Sequence, residues 1–278
     1  MAYAPTLSPY FNAAPCPRVE VLFTAFAAGT ATVTVYRTAG GREFRMRGGV
    51  NAATAGSLTR IDTEVPFGVA ASYRAEMFNS AGVSLGFTDS ATLTMNVAET
   101  WVHNPLDPQG ATTVQFRAQA ARSIVRPVEG QVVYPQGRTV GVLISGQRRG
   151  VQDVDLTVVT DSIEQADRLQ DMFGTYSQRF TPVLCFRIGA FDQVRLPRPL
   201  FAAVLAPDEH DVNYAIGMGE QITTVMSGSE VAPPAPGLFI PLLTNADLNA
   251  FYLTNAALNA DNLTNLAVNR RYDLIGAA

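Results

Sequence analysis

Between residues 19 and 97 apolar and polar positions alternate in short runs broken by glycine-rich turns. Residues 20–26 and 32–36 are β-branched and aromatic, with Ala-Ala-Gly-Thr between them. Gly40-Gly41 predicts a hairpin into residues 43–46, and Gly48-Gly49 ends it. Residues 58–65, 72–79 and 84–97 supply further strands. About seven short strands with turns between them predict a two-sheet antiparallel sandwich. Upstream, residues 1–17 are punctuated by prolines and read as an extended arm. Downstream, residues 99–113, with two close prolines and the sole tryptophan, read as a linker or clasp.

From residue 114 to about 236 the pattern predicts a second β domain. Strands fall at 132–134, 139–145, 153–159, 183–188, 200–205 and 221–226. Among them the period changes once, at residues 161–174. Ile163, Ala166, Leu169 and Phe173 share one helical face there, Asp161 with Glu164 fits a capping box, and Gly174 ends the helix. Strands, one helix and more strands predict a sheet pair with a helix laid across it.

The last segment, residues 237–278, is repetitive. Leu-Thr-Asn recurs at Leu243, Leu253 and Leu263, and Leu248, Leu258 and Val268 complete a spacing of five. A helix turning roughly 100° per residue gives that spacing no apolar stripe. Two readings stay open: a square-sectioned β-coil, or an arm ordered only on a partner. Tyr3, Tyr10 and Phe11 at one end, with Leu248, Leu253, Leu258 and Leu263 at the other, are the expected docking residues of two extended arms.

The tyrosine of Tyr73-Arg-Ala-Glu76 opens its strand where a Greek-key corner needs one. Its ring would pack inward and its hydroxyl would bond backbone, the signature of a fibronectin- or immunoglobulin-like sandwich. Tyr73 and Trp101 are thus expected to be structural. Such modules bind or space, so the chemistry expected here is architectural and the chain is not expected to be an enzyme.

Composition sharpens that view. The chain has 278 residues, enough for two modest cores, and only 16% of them are charged. So few charges imply a surface partly covered by partner subunits. The net charge of -4 gives no electrostatic reason to expect nucleic acid or an anionic membrane. All 20 basic residues are arginine. No run reaches the roughly twenty apolar residues of a membrane helix, and residues 1–17 lack a signal-peptide core, so synthesis in a cytoplasm is expected. Cys16 and Cys185 have neither metal-ligand nor disulfide-framework spacing. His103 and His210 are the only histidines. Asp208, Glu209 and Asp211 around His210 lack the alternate spacing of a calcium loop and read as a solvated acidic turn. No phosphate loop or ligand set is present, so no catalytic residue, cofactor or metal is expected.

Three blocks carry a resemblance: Val33-Thr-Val-Tyr-Arg37 with Asp62-Thr-Glu-Val-Pro-Phe-Gly68 and Tyr73-Arg-Ala-Glu76; Trp101-Val-His-Asn-Pro-Leu-Asp-Pro108; and the strand–helix–strand block of residues 138–205. Together they resemble a minor tail protein of long-tailed, siphovirus-like bacteriophages of GC-rich actinobacterial hosts. The last block is similar to the ring-forming domain of distal tail proteins, which shares the tail-tube fold. The resemblance implies a structural virion protein, a homo-hexameric ring joining tail tube to tail tip, with other tail and baseplate proteins as partners. The alternative is a trimeric tail-tip or receptor-binding protein whose sandwich touches a host-surface glycan. A wall-degrading tail enzyme is the third reading.

Overall fold

A computed structural model describes residues 3–12, 14–176, 179–211, 220–237, 243–269 and 271–274. The protein is mainly β, 42% strand and 12% helix, in several antiparallel sheets. In the first unit, strands β1 (Thr6–Tyr10), β2 (Arg18–Phe23), β3 (Thr32–Ala39), β4 (Arg42–Arg45), β5 (Ala52–Ala53), β6 (Leu58–Asp62), β7 (Ala70–Phe78), β8 (Ser84–Phe87) and β9 (Ala91–Thr94) form two sheets. One has the order β1-β2-β6; the other runs β4-β3-β7-β8, with β5 beside β3 and β9 beside β7. The inward positions of both fill one core: Val19, Val21 and Phe23 from β2, Val33 and Val35 from β3, Ala71, Tyr73, Ala75 and Met77 from β7. The period-two alternation of the sequence is therefore the pleat of a sheet with one covered face.

The segment read as an N-terminal arm is part of this unit. Thr6 to Tyr10 pair with Leu22 to Arg18 as an edge strand of the molecule's own sheet. Leu7 packs on the core, and the Arg18 guanidinium lies 5.5 Å from the Tyr10 ring. Tyr3 and Phe11 remain exposed. Proline punctuation excluded a helix, as expected, but an edge strand tolerates proline, and Pro9 sits in one.

The second unit begins earlier than the sequence implied. Residues 99–113 are not a linker: β10 (Thr100–Asn104) and β11 (Asp107–Phe116) form a hairpin at the centre of a nine-stranded, curled half-barrel. The chain continues through β12 (Val128–Val133), β13 (Val142–Arg148), β14 (Val154–Asp155), β15 (Val158–Thr160), β16 (Val183–Arg187), β17 (Leu200–Val204), β18 (Asp208–Asp211), β19 (Ile222–Val225) and β20 (Ser227–Glu230). The half-barrel has the order β14-β20-β17-β16-β10-β11-β15-β19-β18, while β12 and β13 pair only with each other. Residues 154–160 and 222–230 run antiparallel as one long bent ladder, joined at the bend by Leu156 N–H to Met226 O at 2.9 Å. The curl encloses Val102, Leu156, Val158, Leu184, Phe186 and Leu200.

Helix α1 (Ile163–Asp171) packs on β11 and β15. Its cap is Ser162, whose hydroxyl accepts from the Gln165 N–H, and not Asp161. Asp161 instead receives the amides of Gln115 and Gln221, and Glu164 pairs with Arg168 one turn on. Ala166 and Leu169 are buried and Phe173 packs on the same core, but Ile163 is 55% exposed. With the start one residue later, Ile163 falls in the first turn. Gly174 ends the helix with φ +108°.

The C-terminal repeat is neither a β-coil nor an extended arm. It forms α2 (Asn245–Phe251), α3 (Asn255–Asp261) and α4 (Asn265–Asn269), then a 3-10 turn, Tyr272–Leu274. Thr244, Thr254 and Thr264 each accept from the N–H three residues on, so the true period is ten and every repeat opens with its own cap. Leu253 and Leu263 sit between helices and are almost fully exposed, whereas Leu248, Leu258 and Val268 are half-buried. Arg271 closes the curl, contacting Tyr252, Asp261 and Asp273.

Candidate functional site

The two units meet across a buried polar seam. Tyr73 is fully buried, and its hydroxyl donates to Asp62 Oδ2 at 2.8 Å, a carboxylate where the sequence implied backbone. Asp62 also accepts from Arg37 Nη1 at 2.7 Å and from the Glu64 N–H at 2.8 Å. Burial opposes the Arg37 charge, but Asp62, Tyr73 and Glu64 outweigh it and hold the guanidinium charged. Burial, reinforced by Asp62, raises the Tyr73 phenol well above its ordinary value. Arg47 Nε donates to Glu64 at 2.6 Å, and its Nη atoms reach the carbonyls of Pro234 and Ala235. Each charge has left water, and each is compensated by a specific partner, the condition under which buried ions are tolerated.

From the half-barrel side come Arg187, His103, Cys185 and Trp101. Arg187 donates to Pro17 O at 2.5 Å and lies 4.7 Å from the Phe67 ring. His103 is fully buried, and neither ring nitrogen has a hydrogen-bond partner among the described residues. Burial, then Arg187, Arg47 and Arg37, hold it well below the usual histidine range, so it is neutral. Burial with Glu64 pushes the Cys185 thiol up, leaving an inert thiol beside Phe201. Phe44 of β4 meets Phe201 of β17 with ring centroids 6.0 Å apart, and Trp101 packs against the core of the first unit. The clasp expected of the tryptophan segment is thus a strand of one unit whose side chain enters the other.

Among the described residues Asp62 and Glu64 are each held by named donors, while both His103 nitrogens and the Nε and Nη2 atoms of Arg187 have no hydrogen-bond partner. Among the described residues no group of three or more His, Cys, Asp and Glu side chains could hold a metal ion. His210 meets Asp208 at 3.1 Å on the surface of β18. The acidic stretch expected to be a turn is this edge strand.

The surface has a second unusual element, which the sequence reading registered only as strands. The hairpin β12–β13 is exposed along its whole length. Its register places Val133, Val142 and Ile144 on one face, Val132 and Leu143 on the other, with Tyr134 at the tip. All six are between 37% and 67% exposed. A two-stranded hairpin is marginal in water alone, and here neither apolar face is covered by the described residues. The signal was available: apolar residues follow one another at 132–134 and 142–144 instead of alternating, which a strand covered on one face does not need. Among the expected docking residues, Leu253 and Leu263 are exposed, Leu248 and Leu258 are half-buried, and Tyr10 belongs to a strand.

No protein-family model, curated protein or solved structure matches this chain.

Proposed function

We propose that the protein is a structural subunit of a bacteriophage tail, a distal-tail-type ring component linking tail tube to tail tip. On this reading the first unit is a fibronectin-type spacer and the half-barrel a tail-tube-like ring domain. The observation that carries it is the placement of two incomplete elements at opposite ends of one ladder. The hairpin leaves beside Val151, whose N–H and C=O both bond Glu230, at one end of the ladder. The β18 strand flanks the other end and, among the described residues, pairs only with β19. Nine residues of strand separate the ends, roughly 30 Å at about 3.3 Å each. The hairpin carries Arg138, Arg148 and Arg149 against one acid, Glu129; β18 carries Asp208 and Glu209. A bare hairpin with basic charge at one end and a bare acidic edge at the other make a heterologous contact, which closes into a ring when the rotation allows.

The test is the mass of the full chain in solution. Mass photometry should give a closed oligomer, six subunits for the ring reading. Replacing residues 129–147 with a short Gly-Ser linker should leave folded monomers. A trimer would favour a tail-tip or receptor-binding role. A protein that stays monomeric at tens of micromolar with its hairpin intact would remove the ring reading.

A further inference from the structure

A second concave surface lies near the foot of the hairpin, apart from both contacts just described. There the chain beyond β11, residues 117–126, faces residues 191–195 across a groove of about 570 Å³. Four arginines line it, Arg117, Arg122, Arg126 and Arg195, with Phe191 as an apolar wall. Three of them donate to neutral atoms: Arg117 Nη2 to Thr223 Oγ1 at 3.1 Å, Arg122 Nε to Ala118 O at 2.9 Å, Arg126 Nη2 to Arg195 O at 3.0 Å. The groove's one carboxylate, Asp192, is held by neutral donors, the Thr100 hydroxyl at 2.5 Å and the Phe116 N–H at 3.3 Å. Among the described residues none of the four guanidinium groups is in an ion pair.

This gathering runs against the rest of the molecule, whose net charge is -4. Like charges in one groove repel, and several arginines elsewhere in this chain are matched to acids, as at Arg37–Asp62 and Arg47–Glu64. A guanidinium presents a planar fork of donors that matches phosphate oxygens two at a time. Phe191 is 76% exposed and offers a flat apolar face beside those donors. We propose that this groove binds a phosphate-bearing saccharide, the arginines taking its phosphates and Phe191 the face of a sugar ring. A nucleic-acid backbone suits it less. Such binding accumulates some 6–10 phosphate contacts along a track, whereas four cations here enclose a short site.

The proposal does not depend on ring formation, and its test uses the full chain by isothermal titration at about 50 mM salt. The probes are fructose 1,6-bisphosphate, fructose, inorganic tripolyphosphate and a four-nucleotide single-stranded DNA. The bisphosphate should bind and fructose should not. R122E/R195E should weaken the bisphosphate by at least about tenfold, the loss expected from removing charge-assisted bonds. Both side chains are exposed, so an unchanged melting temperature should accompany that loss, and R122Q should weaken binding in the same direction. Phe191→Ala should weaken the bisphosphate and leave tripolyphosphate unchanged. No bisphosphate binding, equal binding by R122E/R195E, or tighter binding of the tetranucleotide would each overturn the proposal. A Phe191→Ala variant that loses nothing would overturn the saccharide part of it.

Discussion

Arg37 and Asp62 sit 1% and 3% exposed in the seam, with the Tyr73 hydroxyl and the Glu64 N–H on the same carboxylate. Removing one partner strands the others without water to return to. Asp62→Ala should therefore cost about 3–5 kcal/mol, while Arg37→Met with Asp62→Leu should cost clearly less, because no charge is left behind. Tyr73→Phe removes one bond and should cost about 1 kcal/mol. Urea unfolding of the variants checks the order; a single change milder than the double one would show that the pair is not held as described. His103 gives a pH dependence of fixed sign. Its folded value lies well below its ordinary one of about 6.5, so the unfolded chain takes up a proton that the folded chain refuses. Stability should be full above about pH 6.5 and fall as pH drops below it, by up to about 1.4 kcal/mol per pH unit. In the His103→Gln variant that part of the slope should vanish, which equilibrium unfolding at pH 7.5 and 5.5 would reveal.

At the level of elements, most strands were legible because a half-covered sheet imposes alternation, as in Val33, Val35 and then Ala71, Tyr73, Ala75. What escaped was decided by pairing across the chain. Residues 99–113 read as a linker because Pro105 and Pro108 mark turns, but the Asn104–Asp107 turn joins two strands whose partners lie at Cys185 and Val159. The C-terminal helices escaped because the five-residue spacing was tested against one continuous helix. Each helix ends after seven residues or fewer, so the phase resets at every threonine. The buried seam was illegible as well, since nothing in the spacing of Arg37, Asp62, His103 and Arg187 brings them together. At α1 the cap decides: Ser162→Ala should cost about 1 kcal/mol, and thermal melts should show Asp161→Ala costing less.

Across the whole molecule, Trp101, Phe201 and Arg187 of the half-barrel complete surfaces that begin in the first unit. Two units sharing buried charges cannot separate without exposing them. Residues 3–237 should thus unfold in a single transition, with calorimetric and van't Hoff enthalpies in agreement. Two resolved calorimetric peaks would mean that the seam couples the units far less than its burial implies.

The threonine caps have a different kind of consequence. Each ten-residue unit from Thr244 onward carries its own start signal, and the first two also carry a half-buried leucine, Leu248 or Leu258, and an exposed one, Leu253 or Leu263. An in-frame duplication or loss of one unit leaves the threonine cap of every remaining unit in place and requires the side-chain contacts between units, those of Arg271 and Asn262 with Tyr252 among them, to be remade. The end of the chain can therefore lengthen or shorten by whole steps over generations, as a measuring rod does, while the two folded units ahead of it keep their sequence.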